Sequence, residues 1–241
     1  MTTLTQVKRL TKTQDDAISA ALRYAQHIYD LAKDQPADIQ KQLLLNSLPP
    51  IAQEWGEVAA EKAASWYDTL RGKTVGDSSF TAAVPDLSGV GDTMAGAIIN
   101  TASGLYGRDG SLETVTPALN TAIAQQIRTS SRQTVYANML RDPSKPRYAR
   151  PANPNACPYC IAASSQGLTY PTADDSHGYH DNCRCQPVPV WQGEKQDEIM
   201  DRVDNLTETY YDAQRAAEKE LGHAASSKDT INYMRRNNIT A

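Results

Sequence analysis

Aromatic residues and long apolar runs are scarce in this sequence. Its 241 residues include a single phenylalanine, Phe80, and the hydrophobic fraction is 40%. This composition favours a helical protein with thin, extended cores over a compact globule. No apolar stretch approaches the ~20 residues that a membrane span needs, and no apolar leader follows Met1. We therefore expect a chain that has no membrane partner and does not enter a secretory pathway.

The sequence also lacks an excess of positive charge. Lys and Arg number 24 against 28 Asp and Glu, which gives a formal net charge of -4. A chain without a basic field is not predicted to bind nucleic acid through overall charge. One local segment is the exception, because it concentrates four cations that could contact phosphate groups: Arg141, Lys145, Arg147 and Arg150.

Cysteine is scarce too, and all four cysteines lie within residues 157–185. They form two clusters, Cys157-Pro158-Tyr159-Cys160 and His180-Asp181-Asn182-Cys183-Arg184-Cys185. Two groups of soft nitrogen and sulfur ligands at such spacings are typical of a tetrahedral zinc site. The run 167–176 between them contains Gly, Pro and Asp, which favour turns that fold the second cluster back onto the first. The sequence therefore predicts a structural zinc centre.

The candidate ligands are the thiols and one imidazole of these clusters: Cys157, Cys160, His180, Cys183 and Cys185. Cys157 and Cys160 belong to every candidate set of ligands. A tetrahedral site then needs two more ligands from His180, Cys183 and Cys185. We favour His180 with Cys183, because their two-residue spacing repeats that of the first pair. Cys185 is the substitute, and His177 is a weaker extra candidate. A site with four protein ligands has no position for a water, which argues against metal catalysis and against an enzyme.

Other cysteine and histidine chemistries fit less well. Disulfides are usual in small secreted domains, whereas this chain is long. A redox pair of cysteines is expected at a helix start within a βαβ unit, whereas prolines surround Cys157. A zinc deaminase needs a His-x-Glu motif, which none of the four histidines provides. His180-Asp181-Asn182 invites comparison with HNH nucleases, although their functional residues are spread over a ββα unit. An HNH-like nuclease and a zinc-dependent nucleic-acid-binding protein remain the alternatives.

Helical periodicity dominates the rest of the chain. The pattern predicts a helix from Thr13 that ends near Pro36, a short helix stopped by Pro49-Pro50, and a third one closed by Gly72. A long helix is predicted over residues 111–140. On this helix Arg128 and Arg132 lie four residues apart, and we interpret them as part of a solvated face or as a contact to DNA or a partner.

The C-terminal part carries a narrow apolar seam, residues 199–221, followed by a short helix that begins near Ser226. The seam either packs on the chain's own helices or docks a neighbouring subunit. Short strands at 148–150, 168–170 and 186–191 are expected to form a small sheet around the metal. The predicted fold class is mainly α, with a small zinc-stabilised α+β module and extended helical arms.

We expect five segments. These are an N-terminal helical region (1–72), a loop or hinge with a short helix (73–110), a long helix (111–142), the zinc-binding module (143–192) and a C-terminal helical region (193–241). Since metal binding replaces the core that the Pro-rich module cannot build, loss of a ligand is expected to unfold residues 150–191 and leave the helical arms intact.

The motifs of residues 128–192 together resemble one family. Arg147-Tyr148-Ala149-Arg150, the Cys157–Cys160 pair, Gly167-Leu168-Thr169-Tyr170, the His180–Cys185 box and Pro187-Val188-Pro189 are similar to the Mu F-like minor head proteins of tailed bacteriophages. The resemblance implies a minor capsid protein of head morphogenesis, present in few copies. It further implies portal protein and major capsid or scaffold proteins as partners, with packaged DNA as another contact. The expected location is the capsid interior of the virion, and the host cytoplasm during assembly.

Overall fold

The structure, a computed structural model, describes residues 2–77, 79–172, 179–180, 182–193 and 197–241. In these residues the mainly α class with a small α+β part is confirmed, and a 3-10 turn (Ala102–Leu105) follows the third helix. None of the described helices has both the length and the apolar character that crossing a membrane requires. The elements are α1 (Leu4–Ala32), α2 (Ala37–Thr74), α3 (Gly89–Thr101), α4 (Leu112–Arg141), β1 (Arg147–Ala149), α5 (Pro158–Ser164), β2 (Val188–Val190), α6 (Asp197–Leu221) and α7 (Ser227–Arg236).

Helix α1 begins earlier than the sequence pattern predicts. Its N-cap is Thr3, whose side chain accepts a hydrogen bond from the Gln6 N–H while the Gln6 side chain accepts one from the Thr3 N–H. This reciprocal capping box satisfies two backbone donors that the helix start leaves free. The predicted start at Thr13 is therefore wrong, because Thr13 lies inside the helix and its hydroxyl donates to the Arg9 carbonyl.

Helix α2 continues through Pro49 and Pro50, where the sequence predicts a stop. Two prolines remove two backbone hydrogen bonds from the helix. The carbonyls that lose their donors belong to Leu45 and Asn46, and both residues remain at least partly accessible to water. Burial of apolar side chains on both sides of the prolines outweighs the lost bonds, so the two predicted helices are one.

Helices α1, α2, α3 and α4 share one apolar core, which includes Leu44, Leu48, Ile123 and Ile127. Helices α2 and α4 approach closely at Gly56, where an added Cβ would lie 2.8 Å from Ser130 Oγ. The predicted long helix is confirmed as α4, whose N-cap Ser111 accepts a hydrogen bond from the Thr114 N–H. Pro117 lies within this helix and does not delay its start.

A second core joins the helices to the cysteine-rich segment. It combines Tyr67 and Leu70 of α2 with Cys160 and Ile161 of α5, and it also includes Leu206 and Tyr210 of α6. The apolar seam of α6 is therefore covered by the chain itself, although Leu221 at its end is 41% exposed. Helix α7 has the predicted start, with a capping box between Ser226 and Asp229.

The expected small sheet is present. Strands β1 and β2 pair antiparallel, with Tyr148 opposite Pro189, and an isolated bridge joins Tyr148 to Thr169. The Tyr148 N–H donates to the Thr169 carbonyl (2.8 Å), and the Thr169 N–H donates to the Tyr148 carbonyl (3.1 Å). Since both backbone groups of Tyr148 point towards Thr169, a proline on its other side removes no ladder hydrogen bond.

Candidate metal centre

The first two candidate ligands lie at the start of α5. Cys157 is its N-cap, with extended backbone angles, and Pro158 occupies the first helical turn. Proline suits this position because a helix start leaves its N–H groups unbonded in any case. The prolines therefore do not keep the pair out of a helix. The strands of the described residues pair antiparallel, however, so the βαβ setting of a redox pair is not found there.

The second half of the site is a tight turn followed by an extended segment. The Cys183 N–H donates to the His180 carbonyl at 3.1 Å, which closes the turn. Asn182 adopts the left-handed conformation, with φ of 60°, which asparagine tolerates better than most residues. This turn directs both His180 and Cys183 towards the start of α5.

Five candidate side chains converge as two triads that share Cys160. In one triad His180 Nε2 lies 3.1 Å from Cys157 Sγ and 3.1 Å from Cys160 Sγ. In the other, Cys160 joins Cys183 and Cys185, and Cys160 Sγ lies 3.4 Å from Cys183 Sγ. Within each triad the ligand atoms lie within 4.8 Å of one another. All four cysteines are free thiols, so the disulfide alternative is not the state of this structure.

These separations fit a zinc-sized cation. From its usual bond lengths, tetrahedral zinc holds two sulfurs about 3.8 Å apart, and a sulfur and a nitrogen about 3.6 Å apart. The observed 3.1 Å in one triad and 3.4 Å in the other are a few tenths of an ångström shorter, so an ion held by either triad needs only a small outward shift of those three ligands. The donor set of sulfur and imidazole nitrogen is the one that zinc prefers.

The thiols do not have equal acidity. Hydrogen bonds from Cys160 and Cys185 lower the pKa of Cys183 well below its ordinary value, and the nearby Arg132 and Arg150 guanidinium groups lower it further. The hydrogen bond to Cys183 instead raises the pKa of Cys160. The cluster thus favours a negative charge on Cys183, which is the form that binds a metal.

Two buried arginines lie beside the site. Arg132 of α4 donates from Nε to the Cys185 carbonyl (3.2 Å) and from Nη2 to the Cys183 carbonyl. Arg150 donates from Nη2 to Cys183 Sγ at 3.5 Å. Both guanidinium groups lie against the ring of Tyr179, at 3.9 and 3.8 Å from its centre.

These positions correct two interpretations of the sequence. Arg128 and Arg132 do not form a solvated face, because they are only 6% and 0% exposed. Arg128 pairs with Asp15 of α1, with a separation of 3.4 Å. Arg150 is also buried, so it does not belong to the exposed cations of its segment, which are Arg141, Lys145 and Arg147. The four-residue spacing of Arg128 and Arg132 indicated one helix face but could not show what covers it.

Several sequence candidates fall outside the described residues. His177 is one of them, as are Asp181 and residues 173–176 of the predicted turn. His180 is described, and its Nε2 faces two thiols. An HNH-like role for His180 would require this nitrogen to face a substrate or a water.

Fold and site define a mainly helical protein whose cysteine and histidine groups could hold a metal ion. The model of the VG15 protein family matches residues 1–213. The chain therefore belongs to the VG15 protein family and is a phage protein. A search of curated proteins and a search of solved structures find no match.

Proposed function

We propose that this chain is a minor capsid protein of phage head morphogenesis, of the Mu F-like kind, with a structural zinc ion. It acts inside the head near the portal, in assembly or in DNA retention and ejection. The observation that carries the proposal is the convergence of the Cys157–Cys160 pair with the His180–Cys185 box in a member of a phage protein family. This pair and this box are the two motifs on which the resemblance to Mu F-like proteins depends.

The metal has a structural role in this proposal. Cys157, Cys160 and His180 supply three ligands, and Cys183 or Cys185 supplies the fourth. Four protein ligands leave no coordination position for a substrate or a water, so we assign no enzymatic activity to the chain. A zinc ion in such a site contributes about 10 kcal/mol or more to folding. It holds together two cysteine clusters that lie far apart in the sequence.

Contact with packaged DNA is the role we assign to the exposed cations of the segment between α4 and the site. Arg141, Lys145 and Arg147 are all exposed. Each cation that neutralises a phosphate adds affinity that falls as salt concentration rises. Arg150 is excluded from this role because it is buried against Tyr179.

Metal analysis and co-purification with the portal protein of the same phage test the proposal together. We expect about one zinc per purified chain and retention of the chain on tagged portal protein. A Lys145→Gln, Arg147→Gln variant should still bind the portal but lose salt-sensitive DNA binding. The control variant is Lys12→Gln, which removes an exposed cation from α1, a helix far from this segment in the sequence.

Two results would contradict the proposal. A chain that carries no metal and ignores portal and capsid proteins is not the head protein described here. Cleavage of plasmid DNA that is abolished by EDTA would instead support the HNH-like nuclease, since that reaction needs an open metal position. Tight, salt-sensitive DNA binding without any capsid association would indicate a zinc-dependent nucleic-acid-binding protein.

A further inference from the structure

Arg132 is a buried charge with no carboxylate partner among the described residues. Its side chain is 0% exposed. Its hydrogen bonds go to two backbone carbonyls, those of Cys183 and Cys185, and its Nη1 has no hydrogen-bond partner in the part of the chain that the structure describes. A guanidinium stays charged under all ordinary conditions. Since burying a charge without a compensating partner strongly destabilises a protein, an anion is expected nearby.

A second cation lies close to the first. The guanidinium carbons of Arg132 and Arg150 lie 3.9 and 3.8 Å from the centre of the Tyr179 ring. The two guanidinium groups therefore share one aromatic ring as a neighbour. The ring attracts each cation through its π-electrons, but this attraction does not remove the repulsion between the two cations.

The thiol cluster is the chemical group that both arginines approach. Arg150 reaches Cys183 Sγ directly, and Arg132 holds the backbone on either side of Arg184. A divalent cation with three thiolate ligands keeps one net negative charge, and with four thiolates it keeps two. Either count is matched by one or both of these guanidinium groups, whereas a cluster of four protonated thiols would leave Arg132 without an anion among the described residues.

We infer that Arg132 and Arg150 are the counter-ions of a thiolate-bound metal and strengthen its binding. This inference rests on the metal centre of the proposed function. Arg132 has a further positioning role, because its forked hydrogen bonds fix the segment that presents Cys183 and Cys185. Neither arginine is a metal ligand, so their removal changes affinity and leaves the ligand set intact.

Zinc affinity, measured by competition with a chromophoric chelator, tests the inference on the full chain. Arg132→Met should weaken zinc binding by roughly 10- to 100-fold, the usual effect of losing a group that supports metal ligands. Arg132→Lys should recover most of the lost affinity, because it restores the charge. The matched control is Arg128→Met, which removes a buried arginine one turn earlier on α4 that pairs with Asp15 instead. It should bind zinc as the parent does.

Cobalt substitution separates a charge effect from general loosening. The cobalt absorption bands should keep their positions in Arg132→Met, since the ligands are unchanged, while the cobalt affinity falls. If Arg132→Met does not fold, Arg150→Met is used, because it removes the second charge without touching the two carbonyls. Met variants that bind zinc as tightly as the parent overturn the inference and leave the metal centre standing. A parent chain that binds no zinc or cobalt overturns the metal centre itself.

Discussion

Asp142 and Arg71 form a buried ion pair where the helices meet the cysteine-rich segment. Arg71 Nε lies 3.0 Å from Asp142 Oδ2, and the two side chains are 2% and 0% exposed. The same oxygen accepts hydrogen bonds from the Tyr67 hydroxyl (3.0 Å) and from Trp191 Nε1 (3.1 Å). One carboxylate thus connects α2, the end of α4 and the residue after β2.

Replacing Asp142 with Asn should therefore destabilise the protein strongly. The amide cannot replace the charge of Asp142, and the other carboxylate beside Arg71, that of Asp77, lies 3.4 Å away and is half exposed. Breaking a buried pair on one side costs roughly 3 to 5 kcal/mol. Chemical denaturation followed by circular dichroism measures the loss. Asp16→Asn is the control, since its pair with Lys12 is exposed and should contribute under about 1 kcal/mol. Equal losses in the two variants would contradict the role of Asp142.

The same carboxylate predicts a pH dependence. Burial by itself would raise the pKa of Asp142, but hydrogen bonds from Ser144, Trp191 and other donors outweigh it and hold the pKa below its ordinary value of 3.8. A depressed folded-state pKa means that this contribution is fully present above pH 3.8 and is lost as the pH falls through the folded-state value. Stability measured towards low pH should decline less steeply in Asp142→Asn than in the parent chain.

Loss of the metal should affect more than the cysteine-rich segment. The sequence predicts that Cys157→Ser or Cys160→Ser unfolds residues 150–191 and leaves the helices intact. In the structure, however, Cys160 and Ile161 share a core with Tyr67 and Leu70 of α2. We therefore expect hydrogen exchange to rise in residues 150–191 and also in the adjoining ends of α2 and α4. Unchanged protection of α2 and α4 would instead support the prediction from the sequence, in which only residues 150–191 unfold.

Zinc affinity can decide whether Cys183 or Cys185 is the fourth ligand. Each belongs to the triad that shares Cys160, and both are 2% exposed. The variant that removes the fourth ligand should lower zinc affinity far more than the variant that removes the spare thiol. Our preference for Cys183, based on its spacing from His180, predicts the larger effect for Cys183→Ser. The reverse order would assign the fourth position to Cys185.

Local sequence signals located the elements that depend on local interactions. The start of α4 at Leu112 after Ser111, the capping box at Ser226 and the strands β1 and β2 follow from nearby residues. Of the third predicted strand, 168–170, the described residues show only an isolated bridge at Thr169. The cysteine clusters were found for the same reason, because each is a short motif. Tertiary packing decided the rest. Leu48 and Ala52, buried in one core on either side of Pro49-Pro50, hold α2 together, and no local rule shows this.

The buried arginines are the other feature that the sequence could not show. Arg132 lies on a helix among polar residues, where solvent exposure is the usual outcome. Its neighbours Ser130, Ser131 and Thr134 are buried as well, so one side of α4 carries a polar interior. The segment after Asn182 covers Arg132, whereas α2 covers Ser130 at Gly56 and α1 covers Ser131 through Gln14. All of these contacts join residues that are far apart in the sequence.

The contact at Gly56 predicts a cost for a small substitution. Gly56→Ala places a methyl group 2.8 Å from Ser130 Oγ, so α2 and α4 must shift apart or Ser130 must move. Overpacking of this kind costs about 1 to 3 kcal/mol, which exceeds the helix propensity gained from alanine. Gly72→Ala in the same helix meets nothing within 4 Å and should be neutral or slightly stabilising. Thermal unfolding of both variants would show whether this approach is as tight as the structure indicates.

Gln14 and Gln186 provide the last prediction, because they connect the metal segment to α1. Gln14 Nε2 donates to Gln186 Oε1 at 2.9 Å, and Gln186 Nε2 donates to Gln14 Oε1 at 2.6 Å. Both side chains are buried, and Gln14 also donates to Ser131 Oγ at 2.7 Å. Replacing one of two such partners leaves the other amide buried without the bonds that the two shared, which costs about 1 to 3 kcal/mol.

A double-mutant cycle distinguishes this coupling from ordinary packing. Gln14→Met and Gln186→Met should each destabilise the chain by about 1 to 3 kcal/mol, whereas the double variant should lose clearly less than their sum, since two apolar side chains of similar volume can pack together. Any variant with Gln14→Met also removes the hydrogen bond from Gln14 to Ser131 Oγ. The double variant is therefore not expected to regain the full stability of the parent chain. Strictly additive losses would mean that the two amides act independently. The zinc affinity of Gln186→Met should also fall, because the residue directly after Cys185 loses its attachment to α1.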